Sequence, residues 1–410
     1  MTNNEGMQRY APAARYLQGF NVRGYAKTRN HLGGNVSRLN PYVTWGALTL
    51  RDLHDHVLAT HPTRDKDHEK FVDELGWKAF FREGFRSLGG RVYSDLEPYK
   101  YPTEPKKPGL PQGIETANTG IRAIDDIAQE LLDTGYLHNH QRLWFASWWV
   151  HFAGHDWKSG EAFLYRHLLD GEPGPNALSW QWVASTFSGK PYVFNADNMR
   201  RNGVTEIGDA PFDASYEAID AQFFGGYAQG GYAKRPKEQP HTKPMPHDPS
   251  LVRPVGSRPL VVLHPERLSA GAEAVRACPD APVVIYLDGR RWQAEQPSER
   301  RRAFAESLAQ AARDTLEEQG RQATVMTIEG PSDLAAKARE LGRDTIAAPD
   351  SWHPGTWKTL KNLSEDVPVS VVEDAPFAHA DASLRSFTAF WKHARKTVAR
   401  RGPQQPLFEN

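Results

Sequence analysis

Between Leu169 and Thr186 the chain places two acids, an amide and two indoles at spacings that could support redox or stacking chemistry. Asp170 and Glu172 flank Gly171, Asn176 follows four residues after Glu172, and Trp180-Gln181-Trp182 closes the run. A carboxylate there can hold an arginine or accept from a heterocyclic ring N–H. An indole can stack on a flat ring or pass single electrons. Two readings of the Trp-x-Trp pair stay open on residue types alone: a site of this kind, or a buried helix with two core tryptophans. Upstream, Asn139 and Arg142 are three apart and so share one helix face. A buried arginine needs a carboxylate, and Asp170 is the expected partner; the alternative is a purely structural ion pair.

The elements that must position these groups fall into two halves. Residues 1–232 read as helical. Ile121, Ile124, Ile127, Ala128, Leu131 and Leu132 recur at spacings of three and four, with Gly135 as the stop. Eight of the twelve tryptophans lie in this half, which suits a pocket for a large flat ligand, although big helical cores hold tryptophan too. Residues 233–258, with Pro236, Pro240, Pro244, Pro246, Pro249 and Pro254, cannot continue a helix and read as a linker. In 259–400 short apolar runs at 260–263, 283–287, 323–328, 345–348 and 367–372 alternate with helical stretches at 300–318 and 332–341. That pattern predicts a five-stranded parallel sheet in a Rossmann-like α/β domain. No Gly-x-Gly-x-x-Gly follows the first strand, so a dinucleotide fingerprint is not supported.

Composition narrows the function. Lys+Arg and Asp+Glu are both 50, and residues 1–250 hold 28 basic and 29 acidic side chains. Nucleic-acid binding must then come from a local groove rather than net charge. The single cysteine, Cys278, excludes an internal disulfide framework or a four-cysteine iron–sulfur site. No run approaches the length of a membrane span, the first residues lack a basic-then-apolar leader, and no His/carboxylate spacing suggests a metal site. The expectation is a monomeric cytoplasmic protein.

Several blocks resemble the photolyase/cryptochrome family in that family's order. Tyr25 and Arg29 precede Val36-Ser37-Arg38-Leu39-Asn40-Pro41, which is similar to a Thr-Ser-Arg-Leu-Ser-Pro loop. Glu74-Leu75-Gly76-Trp77-Lys78-Ala79-Phe80 resembles the Glu-Leu-x-Trp-Arg-Glu-Phe helix, and Thr119-Gly120-Ile121, Asn139 to Arg142, Asp156-Trp157 and the 169–186 stretch follow. The resemblance implies a helical FAD-binding domain at residues 1–232. His264 to Leu268 and Ser386 to Lys392 are similar, more loosely, to the family's α/β domain, which then stands second instead of first.

What the resemblance implies about the site is specific. FAD is the expected cofactor, held by Tyr25, Ser37, Arg38, Leu39, Glu74, Lys78, Asn139, Arg142, Asp170, Gly171, Glu172 and Asn176. Ser37 to Leu39 suit the diphosphate. Lys78 keeps the charge of the family's arginine but loses its fork. Asn176 faces flavin N5, as in repair enzymes, with a surface turn as the competing reading. Trp180 and Trp157 match the inner electron relay; the outer position is Ile114, and Trp144, Trp148, Trp149 or Tyr136 could complete another route, or the indoles are packing. Trp77 and Trp182 would flank a flipped pyrimidine pair, with Glu74, Asn139 and Leu143 beside it. Arg29, Arg200 and Arg201 would meet phosphates or form a solvated face. The implied function is light-driven splitting of cyclobutane pyrimidine dimers in UV-damaged DNA, with Glu74, Asn176, Trp180 and Trp157 in the working set and a second antenna chromophore of unknown identity in the α/β domain. The alternatives are a cryptochrome-like light sensor without repair and an FAD protein without photochemistry.

Overall fold

The computed structural model describes residues 13–226, 231–236, 249–251, 253–374, 376–378, 384 and 386–398. Half of the proline-rich linker expected at 233–258, residues 237–248 and 252, lies outside them. The chain divides into two compact units: Met1–Asn21, Ser37–Ser87 and Thr242–Asn410 form one, and Val22–Val36 with Leu88–His241 form the other. Among the described residues no helix is long and apolar enough to cross a membrane.

In the first unit three of the helices that precede the sheet carry candidate residues or their neighbours. Helix α1 (Asn40–Thr44) starts with Pro41 in its first turn, where a missing N–H costs nothing. Helix α2 (Leu50–Thr60) is capped by Thr49, whose side chain accepts from Asp52 N while Asp52 accepts from Thr49 N, a reciprocal capping box. Helix α3 (Lys66–Leu88) buries Phe71, Val72, Leu75 and Phe80.

Four helices of the second unit position the candidate residues. Helix α4 (Arg122–Thr134) buries Ala123, Ile124, Ile127, Ala128 and Leu131 and ends on Gly135 at φ 67°, as the apolar spacing predicts. Helix α5 (Asn139–Ser147) is capped by His138 and runs into a π-helical turn, Trp148–Phe152. Such turns cluster at functional sites. Helix α6 (Trp157–His167) is capped by Asp156. Helix α7 (Pro173–Ala184) opens with Glu172 as its cap residue and closes on Ser185 in the left-handed region. Gly160 lets α6 and α7 approach: a Cβ there would lie 2.2 Å from the Trp180 ring. Gly160→Ala should therefore lower stability by ~1–3 kcal/mol through overpacking. A urea midpoint equal to that of the parent chain would show that the helices can part without cost.

The sheet follows. Strands β1 (Pro259–Leu263), β2 (Val283–Asp288), β3 (Ala323–Ile328), β4 (Thr345–Pro349) and β5 (Val369–Val372) are all parallel, in the order β3-β2-β1-β4-β5. Four of the five match the expected apolar runs to within a residue, and β5 begins at Val369, two residues later than expected. Helix α8 (Glu299–Glu318) packs on β2 and β3, and helix α9 (Phe387–Val398) lies against α3 through Trp391, whose Nε1 donates to Asp73 Oδ1 at 2.7 Å. The turn after β1 docks on the end of α1: Arg267 Nη1 donates to Gly46 O and Leu268 N to Trp45 O.

Candidate functional site

In the helical unit the expected ion pair is present. Arg142 Nη2 donates to both oxygens of Asp170, at 3.0 and 2.9 Å, and Arg142 Nε donates to Leu137 O. Asp170 is buried and the arginine side chain is one quarter exposed. Glu172 is buried at the start of α7. Asn139, at the start of α5, is exposed, Leu143 is half-buried, and Gly171 is buried. Tyr25 is buried in the same unit.

Asn176 has a defined orientation. Its Nδ2 donates to the Glu161 backbone oxygen at 2.9 Å and to Glu161 Oε1 at 2.8 Å. Both partners can only accept, so the NH2 end is assigned by chemistry and the amide carbonyl is the end left to accept a proton donor. The bridge joins α6 to α7.

The tryptophans make a buried aromatic core. Trp180 is 5.9 Å edge-on from Trp149, and Trp149 is 6.3 Å edge-on from Trp148. Trp157 is also buried and its Nε1 donates to Asp95 Oδ1 at 2.7 Å. Ile114 is buried. Trp144 donates to Asn198 Oδ1, and Tyr136 is half-buried. Trp182 differs from all of these: it is 42 % exposed and lies 5.6 Å from Tyr192, with the rings tilted by 34°. Arg200 is tied to Asp197 and Asp213, Arg201 is exposed, and Arg29 is half-buried with its carbonyl facing His138 Nε2.

Within the α/β unit lies the second group. Arg38 sits at φ 54°, Leu39 N donates to Ser37 Oγ at 3.4 Å, and α1 begins directly after. A left-handed residue next to a helix start concentrates backbone N–H groups, a geometry that suits anions. Lys78 Nζ donates to Asn40 Oδ1 at 2.6 Å and to Thr44 Oγ1 at 3.3 Å, which holds its charge over α1. Glu74 pairs with Lys70 at 2.8 Å. Trp77 stacks face to face on Phe387, 3.8 Å apart and 11° from parallel.

Each donor set, taken by itself, suits one part of an FAD molecule. The pyrimidine edge of a flavin offers a ring N–H between two carbonyls, which calls for a carboxylate flanked by an amide and a guanidinium; Asp170, Glu172, Asn139 and Arg142 are that set. A diphosphate calls for a cation, a hydroxyl and backbone N–H groups; Lys78, Ser37 and the Arg38–Leu39 turn are that set.

The α/β sheet gives a different result. In open parallel sheets ligands enter at the switch point beyond the strand ends, here between β1 and β4. Glu266 fills that place, accepting from Thr356 Oγ1 at 2.6 Å, from Ser351 Oγ at 3.3 Å and from Arg291 Nη1, with His264 Nδ1 at 3.2 Å. Burial would raise the Glu266 carboxyl, but Arg291 and His264 hold it well below the usual range. Glu266 is thus held by several partners at once, while His264 Nδ1, close as it is, makes no hydrogen bond of good geometry.

Sequence reasoning did not find Glu161, Asp95, Tyr192, Phe387, Asn40 or Thr44. A Glu one turn into α6 is a weak signal for the Asn176 bridge; Asp95 lies 62 positions from Trp157, and nothing local marks it.

Residues 44–204 match a family model described as the FAD binding domain of DNA photolyase. The chain is 30% identical over 166 residues to a deoxyribodipyrimidine photo-lyase of Alkalihalophilus pseudofirmus, covering 37% of this chain and 31% of that protein. It is 30% identical over 183 residues to the mitochondrial deoxyribodipyrimidine photo-lyase of Saccharomyces cerevisiae, covering 41% and 32%. A cryptochrome DASH of Ostreococcus tauri is 28% identical over 176 residues, covering 42% and 32%. The matches span about a third of the length of these relatives.

Proposed function

We propose that this chain, whose residues 44–204 match the FAD binding domain of DNA photolyase and resemble deoxyribodipyrimidine photo-lyases, is a flavin-dependent, blue-light-driven photolyase that splits cyclobutane pyrimidine dimers in UV-damaged DNA. The observation that carries this reading is the orientation of Asn176. Its NH2 end is spent on Glu161, so its carbonyl is the group available to a protonated ring nitrogen, which favours a reduced flavin over an oxidised one. The chemistry FAD supplies when bound is photochemical one-electron transfer, with no net consumption of electrons over a repair cycle.

The chain's own residues do the rest. Asp170 and Glu172 accept from the ring edge, Arg142 and Asn139 donate to its carbonyls, Tyr25 packs nearby, and Ser37, Arg38, Leu39 and Lys78 hold the diphosphate. Trp182, on the exposed end of α7, offers a base a face to stack on after it leaves the duplex. Glu74 and Leu143 contact the lesion, and Arg29 and Arg201 meet phosphates. Trp180 and Trp157 pass electrons to the flavin during its activation; the Trp180–Trp149–Trp148 contacts offer a second path of the same kind. Trp77 contributes its second face, since one is covered by Phe387. A second antenna chromophore, of unknown identity, belongs to this reading as an occupant of the α/β domain.

The test is a binding and repair assay on the flavin-loaded protein. Base stacking on an aromatic side chain is worth ~1–3 kcal/mol. Trp182→Ala should weaken binding to dimer-containing DNA by roughly tenfold while leaving undamaged DNA, held through phosphates, nearly unchanged. Equal affinity of the native protein for both DNAs, with no loss of dimers under blue light, would reject repair and favour the light-sensor alternative.

A further inference from the structure

Helix α9 has two unlike faces. Phe390, Trp391, Ala394 and Val398 are buried. Phe387 stacks on Trp77, and Gly76 of α3 makes the room, since a Cβ there would lie 2.7 Å from the Trp391 ring. Arg395 is engaged with Glu69 and Asp73. The opposite face carries Thr388, Lys392 and Lys396 at successive four-residue steps, all exposed, with His393 beside them. The helix contains no acid, and from Ala382 to Phe408 the sequence has six Lys/Arg and no Asp or Glu.

Several other exposed helix cations are neutralised locally. On exposed helix surfaces Arg122, Arg200, Arg276 and Arg313 each pair with an acid within about one turn of the chain. Among the described residues neither Lys392 nor Lys396 is paired with a carboxylate. In a chain of zero formal charge, a rigidly seated helix of one sign is a local field of the kind that net neutrality otherwise denies to a polyanion.

We propose that the outer face of α9 is a docking surface for the phosphates of DNA, with Lys392 and Lys396 as the contacts; this rests on the DNA reading above and adds residues that reading does not contain. Four helical residues rise about 6 Å, and one strand of a duplex carries a charge about every 3.4 Å of its axis. The two ammonium groups can therefore meet phosphates of a single strand. Trp391 and Phe387, locked on α3, keep the stripe from shifting.

The experiment compares the full chain with the Lys392→Gln/Lys396→Gln double variant, on undamaged and dimer-containing duplexes, between about 50 and 200 mM salt. Both side chains are exposed, so the circular dichroism should not change. Affinity for both duplexes should fall about tenfold at low salt, and the slope of log affinity against log salt should become shallower by about two, at roughly 0.9 per phosphate. Unchanged affinity and slope overturn the proposal, as does failure of the native chain to bind either duplex. If the two lysines affect only binding to vesicles of anionic lipid, the surface serves a membrane and the proposal also falls. A lysine effect with no preference for damaged DNA and no loss of dimers under blue light upholds the surface and removes the repair reading. Blue-light repair with no lysine effect does the reverse.

Discussion

Asp170→Ala is expected to empty the protein of flavin. The substitution leaves Arg142 with its carbonyl contact to Leu137 but without the two carboxylate bonds of 2.9 and 3.0 Å. Removing one partner of a buried pair costs ~3–5 kcal/mol. Arg142 is a quarter exposed, so the lower end applies, about 3 kcal/mol, or a hundredfold in binding. The same carboxylate is the acceptor proposed for the flavin ring edge, so the cofactor loses a direct contact and a positioned neighbour together. Flavin per folded protein, read from the absorption spectrum after gel filtration, should fall below roughly a tenth of the parent value. Asp170→Asn, which still accepts one hydrogen bond, should retain an intermediate amount. A variant with a lowered melting temperature but full flavin content would make the pair structural and remove Asp170 from the site.

Acid should unfold the protein well above the range in which carboxylates titrate. His151 is enclosed, with Nδ1 2.8 Å from the Tyr101 hydroxyl and Nε2 3.1 Å from the Val183 carbonyl. A carbonyl can only accept, so Nε2 carries the proton and Nδ1 accepts from the tyrosine: the ring is held neutral. Burial, with Lys106 adding to it, lowers its pKa to about 3. In the α/β unit His353 is lowered to about 4, by burial first and then by Arg291. Both rings stay neutral in the folded chain while the unfolded chain takes up protons below about pH 6.5. The unfolded state then binds more protons, so stability is full above that pH and falls as pH drops toward 4. At about 1.4 kcal/mol per pH unit, each histidine accounts for about 3 kcal/mol or more. Urea midpoints measured from pH 7.5 to 4.5 should decline steeply across that window, and His151→Gln should flatten the decline. A midpoint constant down to pH 5 would show that these rings are not the acid-labile groups.

Much of this molecule was readable in the chain itself, for reasons that are local. A strand needs a few consecutive apolar residues bounded by breakers, and runs such as 283–287 and 323–328 carry that signal whole. Helix α4 declares its buried face in its three-and-four spacing and its end in Gly135, because one turn of backbone decides both. The residues proposed for the flavin edge could be ordered along the sequence because turn, amide and indoles lie within eighteen positions of one another. The Arg142–Asp170 pair was legible as well, since a guanidinium leaving water has few acceptable partners.

The tertiary structure decided which groups meet when packing alone brings them together. Trp77 lies 310 positions from the Phe387 that covers one of its faces, and Asp73 lies 318 from Trp391. No periodicity spans such a gap; only the fit of a bare Gly76 against an indole brings α9 there. The grouping of residues 37–87 with the sheet and not with the later helices has the same origin, in contacts such as Arg267 to Gly46. Asn176 shows the limit most directly. Its position could be read from spacing, but which end of the amide faces outward was settled by Glu161, a residue on another helix whose two oxygens can only accept.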